Sequence, residues 1–224
     1  MQNEKGVLYI VGTPIGNLED ITLRALKTLK EVELVVCEDT RVTAKLLNKY
    51  EIKKPLLSYH QHSKNSKIEK IIKELKNGKA LALVTDAGVP GISDPGNIVV
   101  KEAMRNKIKV IPIPGVSALT ALISVAGTDM QKFLFFGFPP HKKGRKTFFE
   151  NILKSDIPVV YYDSVYRFIK NLEFLKNLGG DKKNIILGRE LTKIYEEIIR
   201  GDIDSVLKYF KNKKVKGEIS IIIK

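Results

Sequence analysis

Glycine, proline and acidic residues are concentrated where the predicted buried strands end. The stretch "TDAGVPGISDPG" (residues 85–96) follows the apolar run "ALALV" and holds three glycines, two prolines and two aspartates. The loops "GTPIGN", "CEDTR" and "PIPGVSA" follow other predicted strands. In a parallel α/β sheet, ligands bind beyond the carboxyl ends of the strands, where loops lead into helix N-termini. These loops therefore predict a small-ligand site that is held largely by backbone groups.

The longest of these loops contains residues with different predicted roles. Its glycines allow positive φ and close backbone approach, and its prolines stiffen it. Asp94 followed by Pro95 favours a helix N-cap with proline at the first helical position. A cap does not explain Asp86 or Gly88, so we expect these two residues to serve the ligand.

The first loop does not fit a nicotinamide dinucleotide, although Gly12 and Gly16 lie in the first strand–helix turn and Glu38 ends the second strand. The dinucleotide fingerprint needs G-x-G-x-x-G, whereas "GTPIGN" is G-x-x-x-G with a proline inside. The sequence contains no Walker lysine motif either.

Short β-branched runs alternate with segments of helical period along the whole chain. The first half predicts strands at "GVLYIV", "ELVVC", "PLLSYH", "ALALVT" and "KVIPIPG", with helices between them. That alternation implies a parallel sheet covered by helices. The second half predicts strands at "FLFFGF", "PVVYYD", "NIILGREL" and "GEISIIIK", again among helices. We expect an α/β protein with domains 1–115 and 116–224.

The composition is typical of a globular protein with a polyanionic partner or with a lysine-rich solvated surface. Of 224 residues, 39 are basic and 25 acidic, a net charge of +14 that is spread over both halves. No apolar run is long enough to span a bilayer, and the N-terminus does not resemble a signal peptide. We therefore expect a cytoplasmic protein. Charge alone does not decide between the two kinds of surface.

The metal-binding potential of the sequence is low. Cys37 is the single cysteine, so neither a disulfide framework nor a cysteine-based metal site is expected. His60 and His62 share one face of a strand, but a third ligand is missing, and we predict no metal.

Eight stretches identify a family. "YIVGTPIGNLEDIT", "CEDTRVTAKLL", "LSYHQH", "LVTDAGVPGISDPG", "PIPGVSAL", "GFPPHKKGR", "RELTKIYEEIIRG" and "KGEIS" occur in this order. The chain resembles the tetrapyrrole methylase superfamily of S-adenosylmethionine-dependent (class III) methyltransferases, and within it the enzymes that methylate small-subunit ribosomal RNA. The resemblance implies a parallel-sheet N-terminal domain, a mixed α/β C-terminal domain, a cofactor cleft between them and a homodimer. It also implies 2′-O-methylation of a cytidine near the decoding site of the small ribosomal subunit.

The resemblance implies a set of cofactor-binding positions and some departures from the family pattern. By position, S-adenosylmethionine would contact Pro14, Asp86, Ala87, Gly88, Ile92, Ser93, Ser117, Ala118, Tyr162, Glu190 and Gly217. Asp163, Val165 and Tyr166 stand where the family usually has glutamate, proline and histidine, and Ser63 stands where asparagine is common. A catalytic histidine in the segment "YYDSVYR" is therefore not expected.

The implied chemistry requires few strongly reactive residues. A sulfonium methyl is already activated, so the protein mainly aligns the acceptor and excludes water. A ribose hydroxyl also benefits from a base, or from a cation that stabilises the alkoxide. The candidates at predicted strand ends are Glu38, Asp39, Arg41, His60 and Lys193. The alternative for Glu38 and Asp39 is negative charge at a helix N-terminus that Thr40 caps.

The loop "PPHKKGRK" is a candidate RNA contact. Lys142, Lys143, Arg145 and Lys146 lie within five residues, behind two prolines that stiffen the loop. A solvated connector is the alternative. The adjacent Phe148 and Phe149 occupy helical positions and are expected in the core.

Two other functions remain open. A tetrapyrrole-type methyltransferase would share the cofactor loops but would leave "EDTR", "RELTK" and the basic surface unexplained. A non-catalytic RNA-binding module would keep the charge and need none of the glycine loops.

Overall fold

The computed structural model describes residues 6–60, 65–94 and 96–224. Its internal contacts divide the chain into two compact units, Met1–Ser117 and Ala118–Lys224. The division falls two residues after the boundary expected from the sequence. His62 and Pro95, to which the sequence assigned roles, lie outside the described residues. Among the described residues, no helix is both long enough and apolar enough to cross a bilayer.

Unit 1 is a parallel α/β layer structure. Its strands are β1 (Val7–Val11), β2 (Leu34–Cys37), β3 (Leu56–Ser58), β4 (Leu81–Leu83) and β5 (Lys109–Ile113). Its helices are α1 (Leu23–Glu31), α2 (Thr40–Lys49), α3 (Asn65–Lys76) and α4 (Asn97–Arg105), with a 3-10 turn at Leu18–Asp20. The strands have the order β3-β2-β4-β1-β5 and all pair in parallel, as expected from the sequence.

The two faces of this sheet are covered by different helices. Successive strand residues point to opposite faces, so Leu81 and Leu83 pack with α3 and α4, whereas Ala82 packs with α1 and α2. Right-handed crossovers require this division, because the chain moves one way from β1 to β3 and the other way from β3 to β5. The connections that leave the adjacent strands β1 and β4 run in opposite directions. Their carboxyl ends therefore flank a topological switch point, the usual place for a ligand in such a sheet.

Unit 2 contains a mixed sheet. Its strands are β6 (Leu134–Phe135), β7 (Val159–Ser164), β8 (Asn184–Arg189), β9 (Glu197–Asp202) and β10 (Glu218–Ile223), in the order β6-β7-β10-β8-β9. Its helices are α5 (Ala118–Ser124), α6 (Arg145–Leu153), α7 (Phe168–Leu175) and α8 (Ile203–Phe210), and a π-helical segment, Lys176–Gly180, follows α7. The β6–β7 pair is parallel and the other pairs are antiparallel. The expected mixed architecture is confirmed.

Strand β9 was not predicted from the sequence. Its residues "EIIRGD" have only two adjacent apolar side chains and charged residues on both sides, so periodicity does not distinguish them from a loop. The strand exists because all six of its residues pair with β8 at the edge of the sheet. Charged side chains are typical of such an edge strand.

The core of unit 2 is rich in aromatic rings. Phe149 is fully buried and meets Tyr161 and Phe174 edge to face, and Phe148 packs against the same cluster. The prediction that Phe148 and Phe149 belong to the core is confirmed. Phe168 and Phe210 add a further edge-to-face pair at 5.0 Å.

Candidate active site

The loops that follow β1 and β4 are joined to each other at the switch point. Thr13 and Gly88 form an isolated antiparallel bridge, in which the Thr13 N–H donates to the Gly88 carbonyl at 2.9 Å and the Gly88 N–H donates back at 3.1 Å. The Thr13 hydroxyl also donates to the Thr85 carbonyl at 3.1 Å. Gly88 has a φ of +84°, which is unfavourable for other residues. The bridge therefore fixes the backbone of both loops without using a charged group.

The loop that follows β5 packs directly on the first loop. A Cβ atom on Gly12 would lie 2.7 Å from the Gly115 Cα, and a Cβ on Gly115 would lie 2.8 Å from the Gly12 Cα. Both positions therefore need glycine so that the two backbones can touch. Gly12 serves loop packing in this structure, which agrees with the rejection of a dinucleotide fingerprint.

A group of carboxylates lies where β2 and β4 end. The Asp86 Oδ1 accepts the backbone N–H of Asp39 at 2.9 Å, which ties the two loops together. The Thr85 hydroxyl donates to the Glu38 Oε2 at 3.3 Å. Burial and the nearby charge of Asp86 raise the pKa of Glu38, while His60 is close enough to oppose that rise. Glu38 is thus a carboxylate with more than ordinary basicity at the edge of the sheet.

Asp94 belongs to the same group and does not cap a helix. The predicted N-cap role is wrong, because α4 begins at Asn97 and Gly96 occupies its N-cap without a side-chain hydrogen bond. Burial is the main cause that raises the pKa of Asp94 to about 6; a hydrogen bond with Thr85 opposes the rise, and the charges of Glu38 and Asp86 add to it. The carboxyl group of Asp94 is therefore a neighbour of Thr85, Glu38 and Asp86, which follow β2 and β4.

A cavity of about 370 Å³ lies beside Asp94 in unit 1. It is lined by Tyr59, at the end of β3, and by Gly91, Ser93, Asp94, Gly96, Asn97 and Ile98. Tyr59 is itself part of the core, with 3% of its surface exposed, and therefore forms a rigid wall. Asp94 and Ser93 are the polar side chains that the β4–α4 loop presents to this space.

Asp39 has a structural function that its position in "CEDTR" did not distinguish. It is the N-cap of α2, so the expectation that Thr40 caps this helix is wrong. Its Oδ1 accepts the Arg41 N–H at 2.8 Å, and its Oδ2 pairs with the exposed Arg41 guanidinium at 2.6 Å. These Arg41 hydrogen bonds lower the pKa of Asp39 to about 2. A carboxylate with that pKa is a poor proton acceptor near neutral pH.

In unit 2, the candidates Glu190, Lys193 and Gly217 lie together. The Lys193 Nζ donates to the Glu190 Oε1 at 2.8 Å and to the Glu218 Oε2 at 3.0 Å. A Cβ on Gly217 would lie 2.2 Å from the Glu190 Cδ, so only glycine leaves room for this carboxylate. Glu190 itself has a φ of +52°, a strained value for a non-glycine residue.

The ion pair fixes the charge state of both partners. Burial disfavours the charged form of Lys193 and so lowers its pKa. The carboxylates of Glu190 and Glu218 outweigh that effect, and the pKa of Lys193 is raised overall. Burial also opposes the charge of Glu190, yet the hydrogen bonds from Lys193 and from the Glu218 N–H lower the pKa of Glu190. Lys193 is therefore a protonated, already paired cation and cannot act as a base.

Tyr162 lies at the same sheet but on the face opposite to the buried Tyr161. Its hydroxyl accepts the Leu119 N–H at 3.2 Å, next to Ala118 at the start of α5. Its ring contacts Phe135 at 5.1 Å and Phe138 at 5.5 Å. Tyr162 thus connects a candidate cofactor segment of unit 2 with a surface aromatic cluster.

The four basic candidates do not all lie in a loop as predicted: Lys142 and Lys143 precede α6, whereas Arg145 and Lys146 form its first turn. The Arg145 Nε donates to the Asn171 Oδ1 at 2.9 Å, its guanidinium lies 4.5 Å from the Phe174 ring centroid, and it also donates to the Lys170 carbonyl. Arg145 therefore holds α6 against α7 and is a structural residue. Lys146 pairs with Glu150 at 3.6 Å, whereas Lys142 and Lys143 are exposed. Lys142 and Lys143 are the better candidates for phosphate contacts.

The described residues, 6–60, 65–94 and 96–224, offer no candidate metal site. No group of three or more histidine, cysteine, aspartate and glutamate side chains in these ranges is arranged to hold a metal ion.

Comparison with known proteins identifies the family. Residues 7–207 match the family model described as Tetrapyrrole (Corrin/Porphyrin) Methylases. The chain belongs to the tetrapyrrole methylase family. It is 45% identical to the ribosomal RNA small subunit methyltransferase I of Thermotoga maritima over 97% of this chain and 98% of the relative. The Bacillus subtilis protein of the same name is 45% identical over 99% of this chain and 76% of its own length.

Solved tetrapyrrole methylases and a diphthine synthase share the fold. A cobalt precorrin-4 methyltransferase matches with a TM-score of 0.74 at 17% identity, over 97% of this chain and 94% of that one. Diphthine synthase matches with a TM-score of 0.77 at 14% identity, over 97% and 90%. At these identities the similarity establishes the architecture, and the site has to be interpreted from its own residues.

Several cofactor positions that the family resemblance implies come together in unit 1. Asp86 and Gly88 lie in the bridged loop, and Pro14 lies in its partner loop and is buried. Ala87 and Ser93 are exposed along the same segment, with Ile92 between them, and the buried Ser117 ends the unit in the loop that packs on Gly12. Ala118, Tyr162, Glu190 and Gly217 belong to unit 2.

Three residues of the unit 1 site were not assigned to it from the sequence. Thr13 and Thr85 carry no obvious chemical signal, because threonine after a strand is common and their partners are backbone or carboxylate groups far along the chain. Asp94 was assigned to a cap because the pair Asp-Pro is locally typical of a helix start. The one sequence signal for this cluster of carboxylates was that "CEDTR" and "TDAG" both follow predicted strands, whose ends can meet at one edge of the sheet.

Proposed function

We propose that this protein transfers the methyl group of S-adenosylmethionine to the ribose 2′-hydroxyl of a cytidine near the decoding site of small-subunit ribosomal RNA. The observation that carries the proposal is the 45% identity, over nearly the full length of both chains, to a protein named for methylating small-subunit ribosomal RNA. The excess of basic over acidic residues, 39 against 25, suits an RNA substrate.

The residues at the unit 1 switch point fit the cofactor. S-adenosylmethionine carries a sulfonium and an ammonium group, and a site lined by Glu38, Asp86 and Asp94 complements these positive charges. Gly88 adopts a positive φ, and a Cβ there would reach the Ile15 side chain at 3.5 Å and the Val116 carbonyl at 3.7 Å. A side chain at this position would fill the space beside the loop backbone. We assign the cofactor to the loops after β1, β4 and β5; for Tyr162, Glu190 and Gly217 a cofactor contact stays what the family resemblance implies.

The bound cofactor supplies an electrophilic methyl group, and the chain supplies alignment and a proton acceptor. Glu38 and Asp94 are the acceptors that the geometry favours, because burial raises the pKa of both and each is within reach of the Thr85 hydroxyl. Asp39 is excluded by its pKa of about 2 and Lys193 by its two ion pairs. Arg41 and His60 remain candidates for substrate contact, since both side chains are exposed beside these carboxylates.

Labelling of small ribosomal subunits tests the proposal. Subunits from a strain that lacks this protein are incubated with the protein and tritiated S-adenosylmethionine, and a porphyrinoid precursor is offered in parallel. We expect label in the ribosomal RNA, recovered as 2′-O-methylcytidine after nuclease digestion and mass spectrometry. The modified linkage should resist alkali, because its 2′-oxygen can no longer attack the neighbouring phosphate. A methylated base with unmodified ribose would refute the 2′-O assignment, and labelled porphyrinoid would favour the tetrapyrrole-type alternative.

The proposal includes two further properties, one implied by the family resemblance and one expected from the sequence. We propose a homodimer, which light scattering coupled to gel filtration would measure, and a cytoplasmic location, which cell fractionation would measure. A monomer at assay concentration would remove the dimer from the proposal and leave the reaction unaffected.

A further inference from the structure

Unit 2 has a surface aromatic cluster, and one of its members, Phe138, lies just before the exposed Lys142 and Lys143 in the chain. Phe135, Tyr162 and Phe138 form it, with ring centroids 5.1 Å apart for Phe135 and Tyr162 and 5.5 Å apart for Tyr162 and Phe138. Phe138 is its outermost member, and 50% of its surface is exposed. Exposing half of a phenylalanine forgoes part of the hydrophobic stabilisation that its burial would give. The position of Phe138 therefore requires an explanation.

The backbone around Phe138 holds the ring at the surface. The Gly137 carbonyl accepts the Tyr162 N–H at 2.8 Å, which fixes the chain to β7 immediately before Phe138. The Pro139 carbonyl accepts a hydrogen bond from the Arg167 Nη1 at 3.3 Å, which fixes it immediately after. Gly137 has a φ of +66°, so the chain turns sharply there. The exposure of Phe138 is thus built into the loop on both sides of the residue.

Two exposed lysines follow Phe138 closely in the chain. Lys142 and Lys143 are exposed and lie four and five residues after Phe138, so their Cα atoms are at most about 18 Å from it even in an extended chain. An aromatic face next to flexible cations is the combination that binds single-stranded nucleic acid, in which bases stack on rings and phosphates pair with lysines. A protein partner would need a broader apolar surface, whereas the neighbouring loop residues here are basic.

We propose that Phe138 is a stacking platform for an unpaired base of the RNA substrate, and that Lys142 and Lys143 contact phosphates of the same strand. This inference rests on the proposed function and adds the surface that holds the RNA. Tyr162 packs against the Phe138 ring and is itself in contact with Phe135, whereas Arg145 takes no part because Asn171 and Phe174 engage it. The platform offers a single ring and not a sandwich, so it suits a base that flanks the target nucleotide.

The absence of tryptophan from the chain makes a direct test possible. Phe138→Trp introduces the sole tryptophan, and stacking of a base should quench its fluorescence when a single-stranded RNA of twelve nucleotides and mixed sequence is added. Phe133→Trp is the matched control. Phe133 is 36% exposed and precedes β6, whereas Phe138 follows both β6 and the turn at Gly137. We expect quenching at position 138 and little change at position 133.

Affinity measurements complete the test. Phe138→Ala should weaken binding of the same RNA about tenfold without changing the slope of affinity against salt, because the ring carries no charge. Phe138→Tyr should retain most of the affinity. Lys142→Ala with Lys143→Ala should instead lower that slope by about two charges.

The outcomes separate this inference from the proposed function. If the wild-type protein labels small ribosomal subunits but Phe138→Trp is not quenched and Phe138→Ala binds RNA normally, the platform is refuted and the methyl transfer stands. If quenching occurs without labelling of ribosomal RNA, the platform stands and the proposed reaction fails. Fluorescence at position 138 that changes with protein concentration, and not with RNA, would assign the ring to contact with a second copy of the chain and overturn the inference.

Discussion

Asp94 should reduce the stability of the folded protein above pH 6, and Asp94→Asn should restore it. Burial and two neighbouring carboxylates raise the pKa of Asp94 from 3.8 to about 6. A carboxyl whose pKa is higher in the folded state binds its proton more tightly there than in the unfolded chain. The wild-type protein therefore loses stability as the pH rises from about 4 to about 6 and keeps that deficit at higher pH.

The size of the effect follows from the shift in pKa. A rise from 3.8 to about 6 corresponds to about 3 kcal/mol of unfolding free energy once Asp94 is ionised in both states. Because Asp94 is only partly buried, solvent screening reduces the expected value to about 1–2 kcal/mol. Asparagine removes the charge and keeps an oxygen that can accept a hydrogen bond from Thr85. The unfolding free energy of Asp94→Asn should therefore be about 1–2 kcal/mol higher than that of wild type at pH 8. This difference should shrink at pH 4.5.

Urea titrations followed by circular dichroism at the two pH values measure this difference. Glu69→Gln, which removes an exposed carboxylate from α3, is the control and should not reproduce it. The same Asp94→Asn protein should methylate small ribosomal subunits more slowly, because it lacks a candidate proton acceptor. Equal or lower stability of Asp94→Asn at pH 8, with an unchanged control, would refute the assignment of a buried, ionised carboxylate at this position.

Three further substitutions test other parts of the structure. Gly88→Val should abolish S-adenosylmethionine binding in calorimetry while the circular dichroism stays near wild type, because a branched side chain at a φ of +84° displaces the bridged loop. Lys142→Ala with Lys143→Ala should lower the salt dependence of RNA binding by about two charges and leave cofactor affinity intact. Arg145→Ala should lower the unfolding free energy by about 1–3 kcal/mol in urea titrations, since it removes two hydrogen bonds and a cation–π contact.

Each of these predictions has its own control. Gly127→Ala has open space around the added methyl group and separates the general cost of a positive φ from an effect on the cofactor. Lys182→Ala with Lys183→Ala removes two lysines from a different loop and should leave the salt slope nearer to wild type. Arg145→Lys keeps the charge but not the planar fork, so rescue of stability by lysine would contradict the contacts assigned to Arg145.

The architecture could be predicted from the sequence where periodicity and pairing agree. The strand–helix alternation of unit 1 was sufficient, because buried parallel strands are continuous apolar runs such as "LVVC". Strand β9 was missed because its stability comes from pairing with β8, a contact that local composition does not encode. The cap was predicted at Asp94 for a similar reason, while Asp39 was left open between a catalytic role and negative charge at a helix N-terminus. Both positions are typical of helix caps, and only the tertiary structure shows that Asp39 caps α2 while Asp94 faces Glu38 and Asp86.

The charge distribution shows why a whole-chain average is a poor guide to this site. A net charge of +14 predicts a polyanionic partner. The edge of the unit 1 sheet is nevertheless acidic: the charge of Asp86 helps to raise the pKa of Glu38, and the charges of Glu38 and Asp86 help to raise the pKa of Asp94. A polyanion placed directly against these carboxylates would be repelled, whereas a cationic cofactor would be attracted. Under the proposed function the RNA needs a basic surface of its own, and we propose that the exposed Lys142 and Lys143 contribute to it. The proposed reaction, from a cationic methyl donor to a polyanionic acceptor, requires surfaces of opposite charge, and this chain carries an acidic one and a basic one.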